Sequence, residues 1–386
     1  MITLYSVTAS LFKAAERVAG GALFWYNPLR QLSLAIPDMS RWLQDYSFDL
    51  PRKRIAQRPS RARDGSRLLV LDRRLPEVSH SRFRLLPRFL GPGDLLVLND
   101  SAVFPARLMG RKSTGGKMEL LLLERVGRDR WRCLMKGKAA PGMVLSFGLP
   151  GVTARVARVA EGGEGTVVFS PRGACERLMD EVGRVPLPPY IKRERHDARS
   201  LATMDRERYQ TIYAGDAGSV AAPTAGLHFT QEVFSGLAAR GVEWCTLTLH
   251  VGAGTFRPLL DNDLSRARLE SERVFVPAET ARAFNRVKGG GGRVFAVGTT
   301  ATRALESFVG DDGRMRGGRR RVDLLIRPGY RFRAVDGMIT NFHLPRSSLI
   351  VLAAAFAGRE RLLEVYRGAV EAGYRFYSYG DAMLIL

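Results

Sequence analysis

MELLLLERVGRDRWRCLMKGKAAPGMVLSFGLPGVTARVARVAEGGEGTVVFS, residues 118–170, decides the fold. Short apolar runs (Met118–Leu123, Trp131–Met135, Met143–Phe147, Val152–Val159 and Thr166–Phe169) recur between Gly, Pro or charge clusters, with Ala106–Leu108 just before them. Val152, Ala154, Val156 and Val159 keep rough alternation, which points to strands with one buried face rather than a helix. Close-spaced strands with glycine-rich turns imply a small β-barrel or sandwich.

Outward from this stretch the pattern changes on both sides. Ser66–Asp72 and Leu95–Asn99 are compact apolar runs bounded by polar residues, predicting buried strands before it. After it, Ala174–Val182 predicts a helix. Helices and strands then alternate: a helix capped by Thr230 and running to Arg240, a strand Val242–Val251, a helix opened by Pro277, a strand Arg293–Val297, and a helix Thr299–Phe308. Beyond these come a strand Val322–Ile326, helices Pro345–Ala357 and Arg359–Ala372, and a last strand Arg375–Leu386, with Gly310–Arg321 as a mobile basic loop. Such alternation implies an α/β layer. The expected fold is therefore an α/β main domain, built from residues 39–99 and 186–386, with an inserted small β-barrel domain at 100–185. Residues 1–38 carry no comparable pattern. They lack the cleavage site of a signal peptide and are expected to be a dispensable N-terminal extension, with Met39 a candidate start.

The 386 residues include 60 Lys+Arg against 38 Asp+Glu, a formal net charge of +22. That surplus makes a polyanionic partner the leading expectation, although net charge says nothing about fold. Cys133, Cys175 and Cys245 are far apart, and no CxxC pair or Cys/His cluster exists, so neither a metal site nor a disulfide framework is expected. A reducing, cytoplasmic setting fits this usage, and no apolar run approaches the ~20 residues of a membrane span.

Four blocks combine small residues with polar ones. Gly218–Thr230 (GSVAAPTAGLHFT) is an uncharged run in an Arg-rich chain, ending in His228 and a helix cap. It suits either a pocket wall or a tight loop with a hydrogen-bonded histidine. In His250–Pro258 (HVGAGTFRP), alternation puts Trp244, Thr246, Thr248 and His250 on one strand face; no GxGxxG follows, which excludes a dinucleotide loop. In Val297–Ser307 (VGTTATRALES) a strand runs into Gly-Thr-Thr and a helix. Its exposed amides and hydroxyls suit a carboxylate or phosphate, while a capped helix with an Arg303–Glu306 surface pair is an equal reading. Thr340–Pro345 (TNFHLP) sets His343 before another helix, with Tyr379–Met383 (YGDAM) at the end of the chain.

Taken together these blocks resemble the S-adenosylmethionine:tRNA ribosyltransferase-isomerases of queuosine biosynthesis. The resemblance includes SRLLVLDR from Ser66, GDLLVLND from Gly93, PARL from Pro105, TGGKMELLLLER from Thr114, PLPPYI from Pro186, RYQTIYA from Arg208, TLHVGAGTFRP from Thr248 and YRFYSYGDAMLI from Tyr374. It runs in order from about Tyr46 to the end.

The resemblance implies an α/β domain joined to an inserted barrel, and a specific reaction. The ribosyl part of S-adenosylmethionine is moved onto 7-aminomethyl-7-deazaguanine at the wobble position of a tRNA with a GUN anticodon. It is rearranged to an epoxycyclopentanediol, giving epoxyqueuosine with release of adenine and methionine. S-adenosylmethionine is consumed as a substrate; no cofactor, metal or membrane is implied, and a monomer is expected.

Such chemistry needs a base for the acidified 5′ C–H, an acid for departing adenine and a cationic or amide site for the methionine carboxylate. His228, His250, Glu272 and Glu306 are the acid/base candidates. Thr299, Thr300 and Arg303 form the expected anion site, and Tyr209, Gln210, Asn341, His343 and Asp381 are further substrate-binding candidates on matching blocks. Phosphate contacts are expected to dominate tRNA binding, with roughly 10³–10⁵ of affinity lost between 50 and 200 mM salt for six to ten contacts.

Two departures stand out. The family usually has Arg where Ala102 stands, and histidines where Ala267–Ser271 run, leaving only Glu272 of that motif. They motivate an alternative, a catalytically impaired tRNA-binding relative. An RNA methyltransferase is disfavoured by the missing glycine-rich loop. The small-residue blocks are expected to converge on one cleft beyond the carboxyl ends of the strands, with His228, His250, Glu272 and Arg303 facing it.

Overall fold

The computed structural model describes residues 40–193, 200–252, 254, 259 and 261–386. The expected extension at 1–38 with Met39, and all of Thr255–Pro258, lie outside the described residues.

The stretch that opened the sequence analysis forms a closed six-stranded barrel. Its strands are β5 (Arg107–Lys112), β6 (Lys117–Arg125), β7 (Arg130–Lys136), β8 (Val144–Ser146), β9 (Thr153–Val159) and β10 (Glu164–Ser170), in the order β10-β7-β6-β5-β8-β9. Alternation sends Met118, Leu120 and Leu122 inward from β6, Trp131, Cys133 and Met135 from β7, and Val167 and Phe169 from β10. These side chains fill the interior as a core.

The remaining large element is a nine-stranded mixed sheet. It contains β1 (Arg67–Leu71), β2 (Val78–Arg82), β3 (Leu95–Asn99), β12 (Glu243–His250), β13 (Glu272–Val276), β14 (Val294–Val297), β15 (Gly318–Val322), β16 (Gly337–Asn341) and β17 (Ala382–Ile385). The order is β15-β13-β12-β3-β14-β16-β17-β1-β2. β12, β3, β14 and β16 are mutually parallel, and β3 is buried along its whole length, as its unbroken LLVL requires of a strand covered on both faces. A two-stranded parallel pair joins β4 (Ser101–Val103), just before the barrel in sequence, to β11 (Asp216–Ser219), after it. The α/β-plus-barrel expectation is thus borne out.

Several elements differ from expectation. The strand expected at Val322–Ile326 is instead Gly318–Val322, so the last third of the expected mobile loop is in the sheet's edge strand. Its arginines are exposed, and an edge strand without an apolar face leaves no hydropathy signal. The last strand shortens to Ala382–Ile385 because Tyr377 adopts a left-handed φ of 74° and Asp381 ties down the preceding turn. The helix expected from Pro345 starts at Ser348, where the Ser347 hydroxyl caps Ile350 N–H. The Thr230 cap holds, accepting from Val233 N–H.

Candidate active site

The four central parallel strands end on the same side of the sheet. Their last residues or following turns bring Asn99, His250, Gly298–Thr300 and Asn341 together, where open α/β sheets gather ligands. A cavity of about 850 Å³ opens there. Its walls include Ala221–Ala225 from the small-residue block, Thr299 and Thr300, Thr340–Ser348, and Tyr190, Tyr209 and Tyr377.

The glycine-rich floor is explained by side chains as much as by ligand access. A Cβ on Gly218 would stand 2.8 Å from the His250 ring, and one on Gly226 would meet the Tyr213 hydroxyl. Between them Ala221, Ala222 and Pro223 line the cavity and leave it room. Asn99 locks the strand ends. Its Oδ1 accepts from Leu249 N–H (2.9 Å) and Ser101 N–H (3.1 Å), and its Nδ2 donates to Leu249 carbonyl (3.0 Å) and towards Thr300 Oγ1 (3.4 Å).

Elsewhere in the cavity wall Tyr190 and Tyr377 pack with ring centroids 4.2 Å apart, and the buried hydroxyls of Tyr209 and Tyr377 have no hydrogen-bond partner among the described residues. Burial raises the Tyr209 and Tyr377 phenol pKa values, keeping both as neutral donors. His343 lines the same cavity. Its Nε2 meets Thr340 Oγ1 at 2.7 Å, and burial lowers its pKa to about 3.

A smaller pocket, about 80 Å³, adjoins this cavity; Val251, Ser348 and Leu349 line both. It holds His250, Glu272 and Arg303. Arg303 Nη1 donates to Glu272 Oε2 at 2.6 Å, and Arg303 Nε donates to Leu324 carbonyl at 2.9 Å. Glu272 Oε1 also accepts from Gly252 N–H at 3.3 Å. Arg303 Nη2 is buried with no hydrogen-bond partner among the described residues, a donor left over for an anion. His250 Nδ1 likewise has no partner among the described residues, and Nε2 lies 3.7 Å from Asp216. Burial first, then Arg273, lowers the His250 pKa, so the ring is neutral and can accept a proton at neutral pH.

Of the four residues expected to share a pocket, His250, Glu272 and Arg303 do and His228 does not. His228 is buried behind the cavity wall. Asn341 Nδ2 donates to its Nε2 (3.1 Å), so the ring proton sits on Nδ1 and meets Ser66 Oγ (2.8 Å). Burial, with Arg375 adding to it, lowers its pKa to about 3. Asn341 in turn accepts from Thr224 Oγ1 at 2.8 Å, and both residues line the cavity.

Glu306 lies away from both pockets. Its carboxylate accepts from Arg333, Ala334 and Val335 N–H, each at 3.0 Å, and from Tyr330 hydroxyl at 3.1 Å, anchoring the loop before β16. Arg303 and Glu306 therefore do not form the surface pair that their spacing allows.

Asp381 accepts from Arg67 and Arg375 N–H and staples β1 to the preceding turn. Gln210 pairs both its amide atoms with the Val103 backbone at 3.1 Å, while Tyr209 faces the cavity. Thr299 and Thr300 line the large cavity and Arg303 the small pocket, so the expected anion site is split across one helical turn. Sequence reasoning missed Asn99, Thr224 and the Tyr190–Tyr377 pair. An asparagine closing the all-apolar strand LLVLN was a usable signal for the first. Among the described residues no group of three or more His, Cys, Asp or Glu is disposed to hold a metal, and no helix is long and apolar enough to cross a membrane.

A parallel sheet edge with a nucleoside-sized cavity, a neutral histidine and a half-open guanidinium, carried with a barrel on a strongly basic chain, defines an α/β enzyme suited to a nucleoside substrate. Comparison with known proteins gives the particular family. The profile described as queuosine biosynthesis protein matches residues 43–385, and the chain belongs to that family.

Among its relatives is an S-adenosylmethionine:tRNA ribosyltransferase-isomerase of Syntrophotalea carbinolica, 49% identical over 353 residues that cover 89% of this chain and 99% of the relative. One of the same name from Symbiobacterium thermophilum is 48% identical over 347 residues, with the same coverage. The crystal structure of an S-adenosylmethionine tRNA ribosyltransferase from Thermotoga maritima is 35% identical, with a TM-score of 0.50, covering 89% of this chain and all of that one. The resemblance and the reading as a transferase are borne out; these relatives support an enzyme rather than an impaired RNA-binding form.

Proposed function

We propose that this chain transfers and isomerises the ribosyl moiety of S-adenosylmethionine onto 7-aminomethyl-7-deazaguanine at the wobble position of tRNA with a GUN anticodon, forming epoxyqueuosine and releasing adenine and methionine. It does so as a cytoplasmic monomer, with S-adenosylmethionine as a spent substrate and no resident cofactor or metal. The observation that carries the reading is the 850 Å³ cavity at the parallel strand ends, joined to the His250–Glu272–Arg303 pocket.

The nucleoside sits in the large cavity, against Tyr190 and Tyr377, with the neutral phenols of Tyr209 and Tyr377 as donors to its polar edge. The open Nη2 of Arg303 takes the methionine carboxylate in a charge-assisted bond, and the helix start at Thr299–Thr300 adds free amides. The sulfonium then lies between the two pockets and acidifies the 5′ C–H. Neutral His250, whose Nδ1 has no partner among the described residues, removes that proton. Glu272 holds Arg303 in place. His228 acts at one remove, fixing the flip of Asn341 and so the Thr224 hydroxyl in the wall.

The test is incubation of tRNA carrying 7-aminomethyl-7-deazaguanine at the wobble position with enzyme and S-adenosylmethionine, followed by mass spectrometry of nucleosides and small products. Epoxyqueuosine with free adenine and methionine is the expected result. S-adenosylhomocysteine would make the chain a methyltransferase, and an unchanged tRNA would make it a binder.

A further inference from the structure

The antiparallel strands β12, β13 and β15 align side chains in rows across one sheet face. Thr248 stands opposite Phe275, which stands opposite Arg319; His250 stands opposite Arg273, which stands opposite Arg321. Like charges directly opposed on neighbouring strands destabilise a sheet, yet Arg273 and Arg321 are so placed. Arg273 has only Glu124 at 3.7 Å, and Arg319, Arg320 and Arg321 are exposed without a carboxylate partner among the described residues.

Their guanidinium groups are nonetheless held in place. Arg319 lies over the Phe275 ring at 4.3 Å. Arg320 lies over Phe308 at 4.1 Å and donates to Ser307 carbonyl at 2.7 Å. Arg321 donates to Ser271 Oγ at 3.1 Å and Ser271 carbonyl at 2.8 Å. Edge protection alone needs charge on the strand but no such ordering.

Between these rows runs a groove of about 260 Å³, and His250, Arg273 and Arg321 line both it and the pocket that holds Glu272 and Arg303. The groove, which Asp216 also lines beside His250, is therefore a mainly cationic approach that ends at the candidate base.

We propose that this arginine-lined face of β12, β13 and β15 receives the sugar–phosphate backbone of the RNA strand that carries the target base, with the strand turning inward at His250. The proposal rests on the tRNA reading above and adds the surface that reading leaves open. Arg319 and Arg321, ordered and without a carboxylate partner among the described residues, suit phosphates, which offset the Arg273–Arg321 repulsion and gain bidentate hydrogen bonds. A groove leading from a basic edge to an enclosed pocket fits a base that is unstacked before reaction.

The experiment compares wild-type enzyme, Arg319→Ala/Arg321→Ala and Arg319→Lys/Arg321→Lys in tRNA binding across 50–200 mM salt and in steady-state kinetics. Two lost phosphate contacts should flatten the slope of log affinity against log salt by about 2 and raise KM for tRNA about tenfold. The lysine pair should recover most of the slope and of the tRNA KM. A photoreactive residue at position 319 should cross-link to the anticodon stem-loop, a readout that does not depend on the alanine pair folding. An unchanged slope and KM, cross-links confined to another part of the tRNA, or cross-links to a second copy of the chain would each overturn the surface. If wild-type enzyme modifies tRNA and the surface test fails, only this proposal falls; if wild-type enzyme leaves tRNA unmodified, the functional reading falls first.

Discussion

Two histidines separate a proton carrier from a positioning group. His250 lines the pocket with Nδ1 open; His228 spends both ring nitrogens on Ser66 and Asn341. His250→Ala is therefore expected to lower kcat by about 10²–10⁴, the usual worth of general base catalysis, with S-adenosylmethionine affinity kept. His228→Asn should cost about tenfold or less, and the pH–rate profile should keep its acid limb. Loss of that limb in His228→Asn, with His250→Ala active, would exchange their roles.

Arg303 needs a different reading because it is also half of a buried pair. Arg303→Ala breaks the buried Arg303–Glu272 ion pair and should cost about 3–5 kcal/mol of stability. Arg303→Lys keeps the charge but loses the fork. It should melt close to wild type while weakening S-adenosylmethionine binding about tenfold, the loss of one charge-assisted hydrogen bond. Equal binding by calorimetry would remove Arg303 from the carboxylate site. Neither the Arg303–Glu272 pair nor the Glu306 anchor was legible in the chain, because helical spacing gives neighbours on one helix and cannot supply partners 31 or 28 residues away.

Elements were legible where burial imposes a period. The barrel strands alternate because one face fills the interior, and β3 is continuous because both faces are covered. β15 was invisible because an exposed edge of arginines imposes neither pattern. The block GSVAAPTAGLHFT was recognisable as a wall, but which glycine serves which neighbour needed the fold. Gly218 adopts φ +154° at the end of β11 with the His250 ring against its Cα, so the element has room for no side chain there. Gly218→Ala should displace the imidazole and lower kcat, while tRNA affinity and the barrel remain intact. Wild-type turnover in this variant would mean that the His250 ring position is not critical.

For the whole molecule, two buried neutral histidines couple stability to pH. His228 and His343 both have pKa values lowered to about 3 by burial, against about 6.5 when exposed to water on unfolding. Between those limits the unfolded chain binds more protons than the folded one, so stability rises with pH until about 6.5 and then levels. Each histidine contributes a slope of roughly 1.4 kcal/mol per pH unit below 6.5. His343 tests this more cleanly than His228, which also orients Asn341. In His343→Asn, urea unfolding between pH 7 and pH 5 should lose about one histidine's share of that slope, even if stability at pH 7 falls because the Thr340 contact is weakened. Most carboxylates remain ionised over this window, so their titration adds little to the difference. A variant with the wild-type slope would show that His343 takes up a proton in the folded state, and would require water or a counter-charge to reach the cavity wall at that ring.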